Sequence, residues 1–145
     1  MNLKKIKEGI KKIVIGRKRV VVIVQCRLSS TRLPRKALLP LGGKTILEWT
    51  LASMKKVEAS KYFLAVDEES REELEPIAKK CGWDFYAGSQ SDVLDRFCNV
   101  IKISKADVVL RATADNPFLF YEAAQKLVDE YFLKEKNSPV DNITF

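Results

Sequence analysis

Hydrophobic residues in this 145-residue chain alternate between short β-branched runs and longer stretches with helical spacing. The run from Arg19 to Gln25 is built on valine and isoleucine, which is typical of a strand buried on both faces of a parallel sheet. Three further strands are predicted at 61–66, 83–87 and 107–113. Each strand is followed by a predicted helix, at about 45–54, 70–82, 92–104 and 121–136.

Caps and apolar stripes indicate where these helices begin and which faces they bury. Thr45 followed three residues later by Glu48 has the pattern of a capping box, and Ser70 with Glu73 suggests a second cap. Pro76 is expected to kink or restart the second helix. The residues expected to face the core are Ile46, Leu47, Thr50, Leu51 and Met54 in the first helix, Leu94, Phe97 and Ile101 in the third, and Ala124, Leu127, Val128, Tyr131 and Phe132 in the fourth.

Four strand–helix pairs in succession predict an α/β domain with a mostly parallel sheet and right-handed crossovers. Ligands of such sheets bind beyond the carboxyl ends of the strands. The loops expected there are 26–44, Asp67 to Glu69, Gly88 to Asp92 and Ala114 to Pro117. Beyond the fourth helix, Val140 to Phe145 has the pattern of another strand or connection.

The positive charge of the chain is concentrated at one end. Residues 1–19 contain eight lysines or arginines and one glutamate, which accounts for the whole net charge of +7. The remainder is neutral, so general nucleic-acid binding by the α/β domain, residues 20–145, is not favoured. We interpret residues 1–19 as a solvated basic extension. Apolar residues near helical spacing within it leave open a short amphipathic helix that contacts an anionic membrane or a partner.

Several functional classes are excluded by composition. The chain has no histidine, so a catalytic histidine and a histidine-ligated metal are both ruled out. The three cysteines, Cys26, Cys81 and Cys98, lack CxxC spacing and indicate neither a zinc knuckle nor a redox pair. With no apolar run near ~18 residues and no signal-peptide pattern, a reducing cytoplasm is the expected location.

The loop after the first strand is the strongest chemical signal. No acid opposes its cations before Glu48, and hydroxyl side chains lie between them. Fixed positive charge, hydroxyl donors and free backbone N–H groups are what a triphosphate requires. The cations are Arg27, Arg32, Arg35, Lys36 and Lys44, and the hydroxyl residues are Ser29, Ser30 and Thr31.

Within that loop, Gly43, Lys44 and Thr45 imitate the end of a P-loop. A P-loop requires glycine at position 38, where this chain has Leu38, so we interpret the segment as a turn and helix cap. The more specific pattern is RxxSxRxPxK, formed by Arg27, Ser30, Arg32, Pro34 and Lys36. Its cations are expected to bind a nucleoside triphosphate and to stabilise departing pyrophosphate.

A second constellation, RATADNPFL, covers Arg111 to Leu119. Asp115 follows the fourth predicted strand, and an aspartate at that point can hold Mg²⁺, which prefers oxygen ligands and is often anchored by one or two carboxylates plus phosphate. Spacing alone leaves open the alternative that Asp115 caps the next helix or forms an Asx turn.

Four segments together, VQCRLSSTRLPRKALLPLGGKTIL, LAVDEE, GSQSDVLDRF and RATADNPFL, resemble the cytidylyltransferase family that makes CMP-activated sugars. Within that family the chain resembles the branch of the spore coat polysaccharide biosynthesis F proteins, with CMP-Kdo synthetase and acylneuraminate cytidylyltransferase as wider relatives. The resemblance implies a Rossmann-like sheet of the nucleotide-diphospho-sugar transferase type. It also implies a Mg²⁺-dependent reaction in which CTP and a sugar acid give CMP-sugar and pyrophosphate.

The resemblance assigns roles position by position. It implies that the triphosphate is bound by Arg27, Ser29, Ser30, Arg32 and Lys36, with Lys36 stabilising charge on the α-phosphate. It implies that Asp115 holds Mg²⁺. The residues expected to face the base and ribose are Asp67, Ala87, Gly88 and Ser89, and those that match the family's DxxDR signature in a supporting role are Asp92, Asp95 and Arg96.

Three departures from the family pattern define the alternatives. Ser29 and Ala114 occupy positions where the family usually has glycine. The family's second metal carboxylate, acceptor-sugar pocket and usual dimer contacts come from a later segment that we expect to lie outside this chain, so the acceptor sugar and a homodimer stay open. One alternative is a truncated, inactive nucleotide-binding relative. Another is a glycosyltransferase, or a nucleotidyltransferase of other base specificity, on the same fold.

Overall fold

Four parallel strands form the central sheet of the protein, seen in a computed structural model that describes residues 18–29 and 32–135. Because the paired strands are parallel, their carboxyl ends lie along one edge of the sheet. In chain order the elements are β1 (Val20–Cys26), a 3-10 turn (Lys36–Leu38), β2 (Pro40–Leu41), β3 (Lys44–Thr45), α1 (Ile46–Met54), β4 (Lys61–Asp67), a second 3-10 turn (Glu68–Ser70), α2 (Arg71–Lys80), β5 (Asp84–Gly88), α3 (Val93–Ser104), β6 (Val108–Thr113) and α4 (Tyr121–Glu135).

The strand order is β5-β4-β1-β6, and every pairing in this sheet is parallel. β1 lies between β4 and β6, which explains why Val20 to Val24 are fully buried. The predicted α/β class and mostly parallel sheet are therefore confirmed. β2 and β3 form a separate antiparallel hairpin around Gly42 and Gly43, both with positive φ, at the turn predicted from the sequence.

The two faces of the sheet are covered unequally. One face packs against α1, α2 and α4 in a single large core cluster that includes Leu51, Leu74 and Val128. The other face carries a smaller cluster in which Phe97 and Val100 of α3 contact the sheet.

The first predicted cap is confirmed. Glu48 N donates to Thr45 Oγ1 at 3.2 Å, and Thr45 N donates to Glu48 Oε2 at 2.7 Å, so both halves of the capping box are made. The inward stripe of α1 is also as predicted, except that Ile46 is only half-buried.

The second predicted cap is wrong. Ser70 makes no capping bond to α2, because it lies in a helical conformation at the end of a 3-10 turn that runs directly into that helix. Asp67 caps the turn instead, accepting from Ser70 N at 2.8 Å. Pro76 lies inside α2 without interrupting it, and the helix continues to Lys80.

The inward face of α3 is partly wrong. Leu94 is 72% exposed, whereas Arg96 is fully buried beside Phe97. The buried stripe of α3 contains Arg96, Phe97, Val100 and Ser104, and at about 100° per residue Leu94 lies roughly 100° from its centre. The hydrophobic pattern predicted that Leu94 is buried, whereas the helix buries Arg96 instead.

Two predictions lie outside the described residues: the amphipathic pattern within residues 1–17 and the strand at 140–145. At the boundary of the described part, Lys18 forms an ion pair with Glu135, which brings the start of β1 and the end of α4 together. None of the helices in the described part is long and apolar enough to cross a membrane.

Candidate functional site

A cleft of about 210 Å³ opens where β1 and β6 end side by side. The register pairs Gln25 with Thr113, so the loops that follow both strands meet at this point. The cleft is lined by Gln25, Cys26, Arg27, Arg32, Lys36, Ala37, Thr113, Ala114 and Asp115. Three predicted triphosphate cations and the predicted metal carboxylate thus share one cavity.

Lys36 and Asp115 are close across this cleft. Lys36 Nζ lies 3.8 Å from Asp115 Oδ2, and their side chains are 41% and 62% exposed. Lys36 opens a 3-10 turn whose second residue, Ala37, is buried in the wall of the cleft. Open cations beside one carboxylate suit a polyphosphate that carries a divalent ion.

No group of three or more potential metal-ligating side chains occurs within the described residues. Asp115 therefore supplies a single carboxylate to any metal in this cleft. Mg²⁺ accepts such a site, because it usually retains several waters and takes further ligands from substrate phosphates. The residues present fit a metal that arrives with a nucleotide better than a metal held by a complete protein cage.

Arg35 belongs to the basic loop but does not line the cleft. Its guanidinium donates to Glu73 on α2, with Nη1 to Oε1 at 2.6 Å and a second bond to Oε2. The hydrogen bond raises the pKa of Arg35 and lowers that of Glu73. Arg35 N donates to Leu28 O at 3.0 Å, which closes the loop at its base. The pair therefore holds the loop against α2.

Lys44 is also outside the cleft, as expected once the P-loop is rejected. Its Nζ lies 4.8 Å from the centroid of the Trp49 ring, in cation–π contact. Three of the loop cations thus line the cleft, and the other two contact side chains outside it.

Cys26 lies beside these cations without the properties of a nucleophile. Burial raises the pKa of its thiol to about 12, and the negative charges of Asp67 and Asp115 act in the same direction. The thiol therefore stays protonated at neutral pH, when thiolate is the reactive form.

The residues predicted to contact phosphate through hydroxyl or backbone groups are only partly described. Ser30 lies outside the described residues, and Ser29 is exposed without lining the cleft. Among described residues other than glycine, positive φ occurs at Arg35 and Lys105, so Ser29 does not occupy a backbone conformation that requires glycine. Ala114 is buried in the cleft wall, where its N–H donates to Gln25 O at 3.0 Å.

A second group of predicted residues lies at the ends of β4 and β5. The register places Asp67 opposite Gly88, with Ala87 and Ser89 on either side of that glycine. Asp67 is only 1% exposed, and its Oδ2 has no hydrogen-bond partner among the described residues. The structure does not bring this group into the cation-lined cleft. Asp67 is a buried cap, whereas Gly88 and Ser89 are partly accessible.

Gly88 leaves little room for a side chain. A Cβ on this residue would lie 2.8 Å from Tyr86 Cε1, so that the ring would have to shift, and 3.3 Å from Arg96 Cγ, which is a tight contact. The loop after β5 therefore passes directly over the stem of Arg96.

The three supporting residues of the DxxDR pattern organise the start of α3. Asp92 Oδ1 accepts from Asp95 N at 2.9 Å, and Asp95 Oδ2 accepts from Asn99 Nδ2 at 3.0 Å. Arg96 Nη1 donates to Ser89 O at 2.8 Å. In the described structure these residues hold the loop and helix and do not line the cleft.

Sequence reasoning missed the role of Glu73. Its carboxylate was assigned to a helix cap, whereas the structure uses it to hold Arg35. The available signal was an acid in the helix nearest to an unopposed basic loop, but no local spacing links the two.

A family model described as cytidylyltransferase matches residues 21–144. The chain is 34% identical over 119 residues to the spore coat polysaccharide biosynthesis protein SpsF of Bacillus subtilis. The aligned region covers 78% of this chain and 50% of that protein.

Two solved structures resemble the fold. A cytidylyltransferase from Leptospira borgpetersenii superposes with a TM-score of 0.77 at 31% identity, over 81% of this chain and 50% of that one. CMP:2-keto-3-deoxy-manno-octonic acid synthetase, solved in complex with CTP, superposes with a TM-score of 0.70 at 20% identity, over 83% and 49%. The second likeness concerns the fold alone. The chain spans about half the length of these relatives.

Proposed function

Because the chain belongs to the cytidylyltransferase family, we propose that it binds CTP and transfers CMP to a sugar acid, releasing pyrophosphate, in the synthesis of a surface polysaccharide or glycan. Residues 20–145 are the nucleotide-binding α/β domain, and residues 1–19 are a basic extension. The observation that carries the proposal is the shared cleft of Arg27, Arg32, Lys36 and Asp115. Three cations beside a carboxylate, at the edge of a parallel sheet where ligands bind, suit a nucleoside triphosphate that carries a divalent ion.

In the proposed reaction, an oxygen of the sugar acid attacks the α-phosphorus of CTP, and the bond from that phosphorus to the bridging oxygen of the β-phosphate breaks. Arg27, Ser29, Ser30 and Arg32 bind the triphosphate. Lys36 stabilises the charge that develops on the α-phosphate. Chemistry of this kind depends on positioning and on electrostatic stabilisation, which needs no histidine.

Asp115 is the proposed Mg²⁺ ligand. The bound ion would neutralise phosphate charge and orient the triphosphate. Asp115 suits this role because it is exposed, shares the cleft with the cations and lies 3.8 Å from Lys36 Nζ. When the cleft is empty of phosphate, Lys36 and Asp115 partly neutralise each other, and a triphosphate with its metal ion satisfies both groups.

The loop after β5 is the proposed contact for base and ribose, through Ala87, Gly88 and Ser89. Asp67, which is buried at the end of the neighbouring strand, supports that loop from β4. Asp92, Asp95 and Arg96 hold the loop from α3.

A second candidate is nucleotide binding without turnover. The cleft contains one carboxylate among the described residues, whereas a two-carboxylate metal site would bind the ion more completely. On this alternative, CTP and Mg²⁺ bind but no pyrophosphate is released. In either case residues 1–19 are proposed to be a solvated basic extension, with contact to an anionic membrane or a partner as the alternative.

Pyrophosphate release tests the proposal. The protein is incubated with CTP, Mg²⁺ and a panel of sugar acids, with UTP, GTP and ATP as comparison nucleotides. Release that requires CTP and one sugar acid supports the enzyme. CTP-selective binding without release supports the second candidate, and equal binding of all four nucleotides contradicts both.

A further inference from the structure

Arg96 has an unusual position for a charged side chain. It is fully buried, and it is the largest of the fully buried side chains among the described residues. Its one hydrogen bond goes to a main-chain carbonyl, while Nε and Nη2 have no partner among the described residues. A buried guanidinium with unsatisfied donors destabilises a fold relative to an apolar side chain of similar size. Its presence therefore requires a reason other than stability.

Two contacts of Arg96 involve the loop after β5. Its Cγ packs beneath Gly88, and its Nη1 holds the carbonyl of Ser89 at 2.8 Å. Further contacts hold the loop in place, since Ser89 Oγ accepts from Asp92 N at 3.1 Å and Gln90 Nε2 donates to Glu69 Oε2 at 2.9 Å. Arg96 thus fixes one specific peptide group, the one between Ser89 and Gln90.

Fixing that carbonyl also fixes the direction of the next N–H. A peptide group is planar, and in the trans form its C=O and N–H point in opposite directions; the described chain contains no cis peptide bond. Because Ser89 O points inward to Arg96, the N–H of Gln90 points away from α3. Gln90 is exposed, and its N–H makes no hydrogen bond to a described residue.

We propose that Arg96 is a positioning residue that aims the Gln90 N–H at an oxygen acceptor of the bound nucleoside, a base carbonyl or a ribose hydroxyl. The inference rests on the proposed function, because it requires a nucleotide in the cleft. In this arrangement the nucleoside is recognised by a main-chain donor, the Gln90 N–H. Arg96, on the opposite side of the loop, sets the direction of that donor. The triphosphate does not contact this donor, so the two halves of the ligand are recognised independently.

Binding of two ligands separates the halves. CTP contains the nucleoside, whereas inorganic tripolyphosphate presents only the phosphates to Arg27, Arg32 and Lys36. Arg96→Met fills a similar volume without donors. It is expected to weaken CTP binding about three- to tenfold, the effect of losing one hydrogen bond, and to leave tripolyphosphate binding unchanged. Lys102→Met, on the exposed side of the same helix, removes the same charge and is expected to change neither affinity.

Two further measurements test whether the role of Arg96 is merely structural. The melting temperature of Arg96→Met is expected to equal or exceed that of the wild type, because apolar replacement of a buried charge is often neutral or stabilising. In the wild-type protein, the amide NMR signal of Gln90 is expected to shift on addition of CTP but not of tripolyphosphate. This measurement needs no variant and so does not depend on Arg96→Met folding.

The outcomes distinguish the inference from the function on which it rests. If wild-type protein binds CTP more tightly than tripolyphosphate, but the Gln90 amide does not respond or Arg96→Met weakens both ligands equally, the role of Arg96 is wrong and the proposed function stands. If wild-type protein binds the two ligands equally, nucleoside recognition is absent and both proposals are overturned.

Discussion

Lys36 Nζ and Asp115 Oδ2 lie 3.8 Å apart, although one follows the first strand of the sheet and the other follows the last. Both side chains are well exposed, and exposed ion pairs contribute little to stability. On the proposed function, the proximity has its consequence in ligand binding.

Lys36→Ala is expected to abolish CTP turnover and to weaken CTP binding about 10- to 150-fold, the loss expected for one charge-assisted hydrogen bond. The free energy of unfolding should change by less than about 0.5 kcal/mol, because the side chain is exposed. Lys44→Ala, which removes a cation outside the cleft, is the matched control. Unchanged kinetics in Lys36→Ala would remove this lysine from the mechanism.

Asp115→Asn tests whether Asp115 binds the metal ion or has only a structural role. Without metal, tripolyphosphate should bind at least as tightly as to the wild type, because one negative charge leaves the cleft. With Mg²⁺, CTP should bind less tightly than to the wild type. Calorimetric titrations with and without the ion measure both effects. Asp84→Asn, exposed at the opposite end of the sheet, is the control, and equal metal dependence in both variants would contradict the assignment.

Glu48 should make stability depend on acid pH. Hydrogen bonds from Lys80 and from the Thr45 backbone lower its pKa to about 2, below the ordinary value of 4.5. The folded state therefore favours the carboxylate, and the resulting stability is present above pH 4.5 and is lost as pH falls towards 2. Glu48→Gln should lower the free energy of unfolding by about 1 kcal/mol at pH 7.

Urea titrations of wild type and Glu48→Gln at pH 7 and pH 2.5 measure this difference. Glu72→Gln, at an exposed position of α2, is the control. A difference between wild type and Glu48→Gln that is the same at both pH values would show that the capping carboxylate is not the origin of the effect.

Gly88→Ala is expected to destabilise the fold by about 1–3 kcal/mol, as overpacking does, because the new methyl group would lie 2.8 Å from Tyr86 Cε1. Removing the ring should relieve the clash, so Gly88→Ala should cost much less in a Tyr86→Ala background. A double-mutant cycle of unfolding free energies measures the coupling. Simple additivity of the two substitutions would show that the ring is not the obstacle.

Much of the framework was predictable because its signals are local. An unbroken β-branched run has few uses outside a buried strand, and β1 begins within one residue of its predicted start. The capping box of α1 involves residues three positions apart, so the pattern and the hydrogen bonds coincide. The predicted edge for chemistry followed from parallel strand direction alone.

The errors arose where a residue's environment depends on distant chain segments. Leu94 is exposed, whereas Arg96 is buried and donates to a carbonyl of the loop after β5, a partner that hydrophobicity cannot indicate. The sequence left Arg35 among the loop cations that no nearby acid opposes, because its partner Glu73 lies on another element. Ser70 failed as a cap because Asp67, three residues earlier, caps the turn before it.

On the proposed function, the contact between Arg35 and Glu73 affects how the nucleotide is captured. A free basic loop would lose conformational entropy when it closes on a triphosphate, whereas this loop is tied to α2 before any ligand arrives. Part of the ordering cost is thus incurred during folding, and the cleft is preorganised. Since the tie is an exposed ion pair, salt screens it as well as the attraction between cleft and phosphate. The affinity for nucleotide should therefore fall more steeply with ionic strength than it would if salt screened only the attraction between the three cleft cations and the phosphates.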